Sequence, residues 1–179
     1  LLYNIVFILL NLILAVSIAI MFNEVKSKFW AKTYQTVFLM PHFLSYVIVA
    51  YLVFGFLSAE NGIVNKSVLP MLGIKPISWY SEPKYWPYIL VFVKMWKSIG
   101  YNSIVYLAAI AGINKEYYEA GEVDGANKWQ QIVHITLPGI RNMIAIMTVM
   151  AFGGVMNSDF GLHYNIPMDS GLIKETTEV

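Results

Sequence analysis

The chain has 179 residues, of which 58% are hydrophobic, 15% aromatic and only 13% charged, with a net charge of +1. A soluble domain carries about a quarter charged residues, so an ordinary soluble fold is excluded, and so few scattered cations offer no surface for nucleic acid. Cysteine is absent, which removes thiolate metal sites, disulfides and cysteine nucleophiles.

Residues 1–22 form a run of hydrophobes broken only by Asn4, Asn11 and Ser17. At about 1.5 Å per residue the run crosses a hydrocarbon core of about 30 Å, and it is the first expected span of a bilayer. It begins Leu1-Leu2-Tyr3 without an initiator Met or a basic region, so it does not read as a signal peptide, and a fragment of a longer protein is expected. Residues 23–35 carry Lys26, Lys28 and Lys32 against Glu24, with Phe29, Trp30 and Tyr34 as interfacial aromatics. Cations close to span ends mark the cytoplasmic side. The second span is expected at 36–57, with Pro41 and His42 near its start and a tolerable proline kink.

Residues 58–84 are too polar to span and carry turn signals at Asn61-Gly62, Pro70, Gly73, Pro76 and Pro83, which predicts a folded external loop. The third span is expected at 85–112. Near its middle lie Lys94, Trp96, Lys97, Ser98, Gly100, Asn102 and Ser103. A charge facing lipid at that depth costs several kcal/mol, so both lysines face protein or water. The fourth span is expected at 140–156, followed by a polar end. This alternation puts Lys28 and Glu119 in the cytoplasm and Asn65 and Lys75 outside.

The interior segment 113–139 is the one extended stretch that reads as a water-exposed helix pair. Glu116, Glu119 and Glu122 recur every three residues and share a helical face. Asp124-Gly125 breaks that helix, Asn127 with Gln130 caps a second one, and Trp129, Ile132, Val133 and Thr136 form its apolar stripe. Two short helices meeting at a glycine make a knuckle. Gly125 there needs a positive φ or a close approach. Pro138 suits a first helical turn, where no hydrogen bond is lost, and would open the fourth span.

Glu119, Ala120, Gly125, Ile135, Leu137 and Pro138 fall on the spacing Glu-Ala-Ala, three residues, Gly, nine residues, Ile, one residue, Leu-Pro. This resembles the cytoplasmic signature loop of the permease subunits of binding-protein-dependent ABC importers, and Asp124, Ala126, Trp129 and Thr136 match its commoner accessory positions. Gly121 departs from it, standing where the second Ala is usual; a glycine inside a helix costs about 1 kcal/mol relative to alanine. The stretches Met40 to Ser45, Asn61 to Asn65, Trp96 to Tyr101 and Tyr106 to Ile110 resemble the branch of that family serving complex carbohydrates.

The resemblance implies an all-α polytopic transmembrane helical bundle of the type I importer kind, with about four spans of a larger core present. It implies a multi-pass protein of a prokaryotic inner membrane that is no enzyme and holds no cofactor, ATP being bound by partner subunits. The implied partners are a cytoplasmic ABC ATPase dimer, a second permease subunit, usually a different chain, and an extracytoplasmic solute-binding protein. The ATPase-coupling residues implied are Glu119, Ala120, Gly121, Asp124, Gly125, Ala126, Ile135, Leu137 and Pro138, with Glu119 meeting a basic residue of the ATPase. The candidate substrate path comprises His42, Ser45, Trp96, Lys97 and Asn102. Lys94 and Lys97 either line that path, bonding sugar hydroxyls or pairing with an acidic sugar, or pair with a neighbouring subunit. Two rival classes are an ion- or proton-coupled secondary transporter using those lysines and a membrane enzyme using His42, His134 or His163, which fall in separate segments without a shared motif.

Overall fold

The computed structural model describes residues 2–155 and 159–168, and among them every regular element is helical, as the sequence predicts. α1, Leu2–Asn23, is the expected first span, and its three polar interruptions all find acceptors or donors. Asn4 Nδ2 donates to the Val155 carbonyl, Asn11 Nδ2 to Ser98 Oγ, and Ser17 Oγ to the Ile13 carbonyl one turn back. Hydrocarbon offers no such partner, so this satisfaction is what makes the polar positions tolerable in a span.

The expected second span is two helices. α2, Lys28–Phe43, begins eight residues before position 36, and α3, Tyr46–Leu57, follows after a break at residues 44–45. Pro41 lies inside α2 and is buried without ending it. The break belongs to Ser45, whose backbone is extended and whose hydroxyl accepts the Ile48 N–H at 3.3 Å, an N-cap that starts a new helix.

The segment 58–84 contains a π turn at Val64–Val68, the short α4 at Leu69–Met71, and 3₁₀ turns at Trp79–Ser81 and Pro83–Tyr85. Its organiser is Asn65, only 3% exposed. The Asn65 amide donates to the carbonyls of Ser58, Ala59 and Ile77, and its oxygen accepts the Ile77 N–H and Trp79 Nε1–H, each at 3.1 Å. A buried group left without its partner costs about 1–3 kcal/mol, and alanine at 65 would orphan several. Asn65→Ala is therefore expected to open the loop, read as faster limited proteolysis within 58–84 of the purified protein. Unchanged cleavage would show that the network is dispensable.

α5, Trp86–Ala111, has 26 residues and so a length of about 39 Å. α6, Lys115–Val123, follows. Then come α7, Lys128–Gln131, a π turn at Ile132–Thr136 and α8, Leu137–Gly139, which form one helical run, and α9, Arg141–Gly153. By length and composition α1 alone is a complete span, and the pairs α2 with α3 and Lys128–Gly139 with α9 pass when each is taken as one broken span. The expected fourth span at 140–156 falls on α9, which reaches the length of a span only together with Lys128–Gly139, and Met156 lies outside the described residues. α5 is long enough but polar near its middle, a property its partners explain below.

The chain forms two compact units. In residues 43–94 with 159–168, Trp86, Leu90, Leu162 and Ile166 are fully buried. Tyr80 stands edge-on to Phe54 and Trp86, at ring centroid distances of 5.6 and 5.0 Å, and burial pushes its phenol up to about 12. In residues 2–42 with 95–155 the core is Ala15, Val16 and Ala19 of α1 against Tyr106 and Ile110 of α5 and Ile140. Ala15 and Ala19, four apart and fully buried, let the helix backbones approach, as small residues do between spans.

Candidate functional site

The knuckle is built by local signals. Asn114 caps α6, its Oδ1 accepting the Glu116 N–H at 3.1 Å. The helix runs through Gly121 unbroken and ends at Asp124. There the Ala126 N–H donates to the Gly121 carbonyl at 2.8 Å and the Gly125 N–H to the Glu122 carbonyl at 3.1 Å, with Gly125 at φ +81°. This is a Schellman ending, and positive φ is the reason a glycine stands at 125. One residue later Asn127 and Gln130 form a reciprocal capping box, each side chain bonding the other's backbone N–H. Ala126 alone separates the two caps, so the joint has little freedom.

Side chains brace it further. The hydroxyls of Tyr118 and Thr136 share a hydrogen bond of 3.0 Å, and buried Gln131 reaches the Ala126 carbonyl at 3.5 Å. Ile135 Cδ1 lies 3.1 Å from where a Cβ at Gly121 would sit, so the departure from alanine leaves room for this side chain. Leu137 packs against the core of its unit, while Ala126 is half-buried and Ala120 and Pro138 are exposed.

Two expectations need correcting here. Trp129 does not belong to the inner stripe: it is 72% exposed, while Gln131 and Thr136 turn inward. The π turn at Ile132–Thr136 adds a residue to the ladder, so positions seven apart no longer share a face. Pro138 lies in the last turn of the run Lys128–Gly139, and the fourth span begins after Ile140, across a bend of 58°. The wide turn just before the proline relaxes the clash that its ring would make with the carbonyl four residues back.

The three glutamates of α6 differ in environment. Glu116 Oε2 accepts from Asn114 at 2.9 Å, and Glu122 pairs with Lys128 at 3.4 Å. Glu119 is exposed and has neither a hydrogen bond nor an ion pair among the described residues. It lines an open cleft of about 450 Å³ together with Glu24, Lys26, Lys115, Glu122 and Lys128. Around it Tyr117, Val123 and Trp129 are 63%, 87% and 72% exposed, a large apolar content for a polar loop.

The expected path residues have individual settings. His42 is exposed, its ring stacked on Tyr101 at 4.7 Å with planes 12° apart, and Trp96 is 38% exposed. Ser45 is the α3 N-cap. Asn102 Nδ2 donates to Asn11 Oδ1 at 2.6 Å, so Asn102, Asn11 and Ser98 form a polar ladder joining α5 to α1. Lys97 is 8% exposed, and its Nζ donates to the Pro41 and His42 carbonyls at 3.3 and 3.4 Å. Those belong to the last turn of α2, whose carbonyls have no helical donors and carry the negative end of the dipole. Lys97, Ser98 and Asn102 in the middle of α5 are therefore bonded within the protein, while Trp96 is left exposed.

Sequence reasoning missed one group. Asp159, beyond the fourth span, takes Lys94 Nζ at 2.5 Å and the Tyr46 hydroxyl at 2.8 Å on Oδ2, and the Leu162 N–H at 3.2 Å on Oδ1. An intramembrane lysine announces that a partner exists, but nothing in the sequence says which carboxylate it is.

Residues 11–160 match the family described as the binding-protein-dependent transport system inner membrane component. The chain belongs to this family. It is 34% identical over 143 residues to the protein LplB of Bacillus subtilis, covering 80% of this chain and 45% of that one. It is 32% identical to the polygalacturonan/rhamnogalacturonan transport system permease protein YteP of the same organism, covering 80% and 44%. Among solved structures it is similar, with a TM-score of 0.90 and 37% identity, to a chain of a bacterial ABC transporter involved in the import of the acidic polysaccharide alginate, over 99% of this chain and 62% of that one. The chain thus spans under half the length of these two curated relatives, and within this family its helical architecture is that of the permease fold.

Proposed function

We propose that the chain is the transmembrane permease subunit of an ATP-driven, binding-protein-dependent importer whose substrate is an oligosaccharide. The observation that carries this is Glu119: at the signature position, on a doubly capped and braced knuckle, it is the one glutamate of its face without a partner among the described residues. A carboxylate so placed is set to receive a basic group from another protein. We assign that protein as the cytoplasmic ATPase dimer, which would also cover Tyr117, Val123 and Trp129. The remaining partners are a second permease subunit and an extracytoplasmic solute-binding protein. The chain does no chemistry and binds no ATP. Nucleotide-driven closure of the ATPases moves the rigid knuckle as a lever and switches the helices between outward and inward access. Carbohydrate is favoured because the similar permease from Bacillus subtilis carries the name of polygalacturonan/rhamnogalacturonan transport and the similar solved transporter that of the acidic polysaccharide alginate.

The stacked His42–Tyr101 pair and exposed Trp96 offer flat faces to sugar rings, whereas Ser45, Lys97 and Asn102 hold the helix ends and contacts that frame the path. The complete transporter in proteoliposomes, supplied with its binding protein and a labelled oligosaccharide, is expected to take up sugar only with ATP. Trp96→Ala is expected to lower uptake about tenfold while the ATPase still co-purifies, the loss of about 1.4 kcal/mol being what one stacking face contributes. Uptake that persists on an ion gradient without any ATPase would sink the reading in favour of a secondary transporter.

A further inference from the structure

The open cleft beside Glu119 holds charges of both signs, and coupling through Glu119 alone uses only one of them. Its walls are the end of α1, the end of α5 and the knuckle, all within one compact unit, and its volume is about 450 Å³. Glu122 and Lys128 pair at 3.4 Å and cancel. Left are Glu24 and Glu119 against Lys26 and Lys115, all four exposed. None of these four side chains makes a hydrogen bond or ion pair among the described residues. The cleft is neutral as a whole, and each of its two charged walls, the loop after α1 and the knuckle, offers one acid and one base.

Two of these charges oppose the helix that carries them. Lys115 is the first residue of α6, where the positive end of the helix dipole disfavours a cation. Glu24 follows directly on Asn23, the last residue of α1, where the negative end disfavours a carboxylate. Lys115 and Glu119, four apart, share a face, but a base placed before an acid is the weaker order for a pair within a helix, and they make no ion pair. Helix stability therefore does not account for Lys115. A group from outside does.

We propose that the cleft receives a segment of the ATPase carrying an acid as well as a base, the base meeting Glu119 and the acid meeting Lys115 of the knuckle and Lys26 of the loop after α1. The inference rests on the coupling reading of Glu119 and deepens it. A base alone would enter next to Lys115, about 6 Å along the helix from Glu119, and be repelled by it. An acid about one helical turn from that base converts the repulsion into a second pair. Docking then has a single direction, because a segment entering in reverse sets like charges face to face.

The test is the affinity of the complete transporter for its own ATPase dimer, measured by stripping the ATPase from the assembled complex and titrating it back onto the permeases in nanodiscs. Lys115→Gln and Lys26→Gln are each expected to weaken binding several-fold, and the two together about tenfold. Lys32→Gln, exposed on α2 outside the cleft, is expected to change nothing. Lys115→Gln removes a cation from a helix start, so thermal unfolding is expected to hold or rise, which separates lost docking from lost fold. The sign decides. A partner bringing only a base would bind tighter once the cations beside Glu119 are neutralised, so tighter or unchanged binding overturns the proposal. Equal weakening by Lys32→Gln overturns it too, in favour of diffuse electrostatics. Lys115→Glu combined with Glu119→Lys keeps the net charge and reverses the order, and is expected to bind as poorly as Glu119→Lys alone; recovery to wild-type affinity would show that only net charge is read and overturns the proposal. If the lysine variants bind normally while Glu119→Lys loses the ATPase, the proposal fails and the coupling reading stands. If Glu119→Lys binds normally as well, both fall.

Discussion

Glu119→Lys is expected to abolish transport and strip the ATPase from the complex while the permease still inserts at normal abundance. The carboxylate is exposed and makes no hydrogen bond or ion pair among the described residues, so its removal disturbs nothing within the fold. Its loss is felt at the docking surface, where deleting one member of a partly buried charge pair costs about 2–5 kcal/mol, well over tenfold in affinity. Reversal adds repulsion. Glu122→Lys is the control, because Glu122 already has Lys128 at 3.4 Å and that exposed pair contributes little. The variants are compared by ATP-dependent uptake, by the amount of ATPase recovered with the permease, and by membrane abundance. Equal damage from both would mean that the face acts through diffuse electrostatics, and normal transport by Glu119→Lys would remove the coupling assignment.

Gly100→Ala is expected to cost the protein its fold. A Cβ built at 100 falls 1.8 Å from the Phe38 carbonyl oxygen and 2.4 Å from its carbon, so the obstruction is the backbone of α2 and no side-chain rotation relieves it. Helices α2 and α5 would have to separate locally, and with them would go the Lys97 bonds to the Pro41 and His42 carbonyls, one turn away on each helix. Overpacking of a close contact costs about 1–3 kcal/mol, and backbone against backbone belongs at or above the top of that range. Gly55→Ala is the comparison: nothing lies within 4 Å of its Cβ, and alanine in a helix interior gains up to about 1 kcal/mol over glycine. Thermal unfolding in detergent, followed by monodispersity, is expected to fall sharply for the first variant and to hold or rise for the second. A stable Gly100→Ala protein would contradict the closeness of these two helices.

The differences between sequence and structure follow the range of the forces involved. The second span is expected to run on through a kink at Pro41; α2 does pass through Pro41, but it stops where Ser45 offers its hydroxyl to a new helix. Trp129 looks like an inward residue on a regular wheel, but a single wide turn changes the phase after Gln131 and leaves the indole outside.

From the sequence alone the helical class, the apolar first span and the knuckle are determined. The Schellman ending at Gly125 and the capping box of Asn127 with Gln130 are bonds between residues at most five apart, so the residues that cause them stand beside one another in the chain. The tertiary structure alone decides where the polar side chains of the spans go. Lys97 finds a carbonyl 55 residues away, Asn102 an amide 91 away, and Lys94 a carboxylate 65 away. A polar group in a bilayer must be satisfied, which the sequence makes plain, but hydrogen bonds across helices leave no period in the chain. Only the packed helices choose the partner.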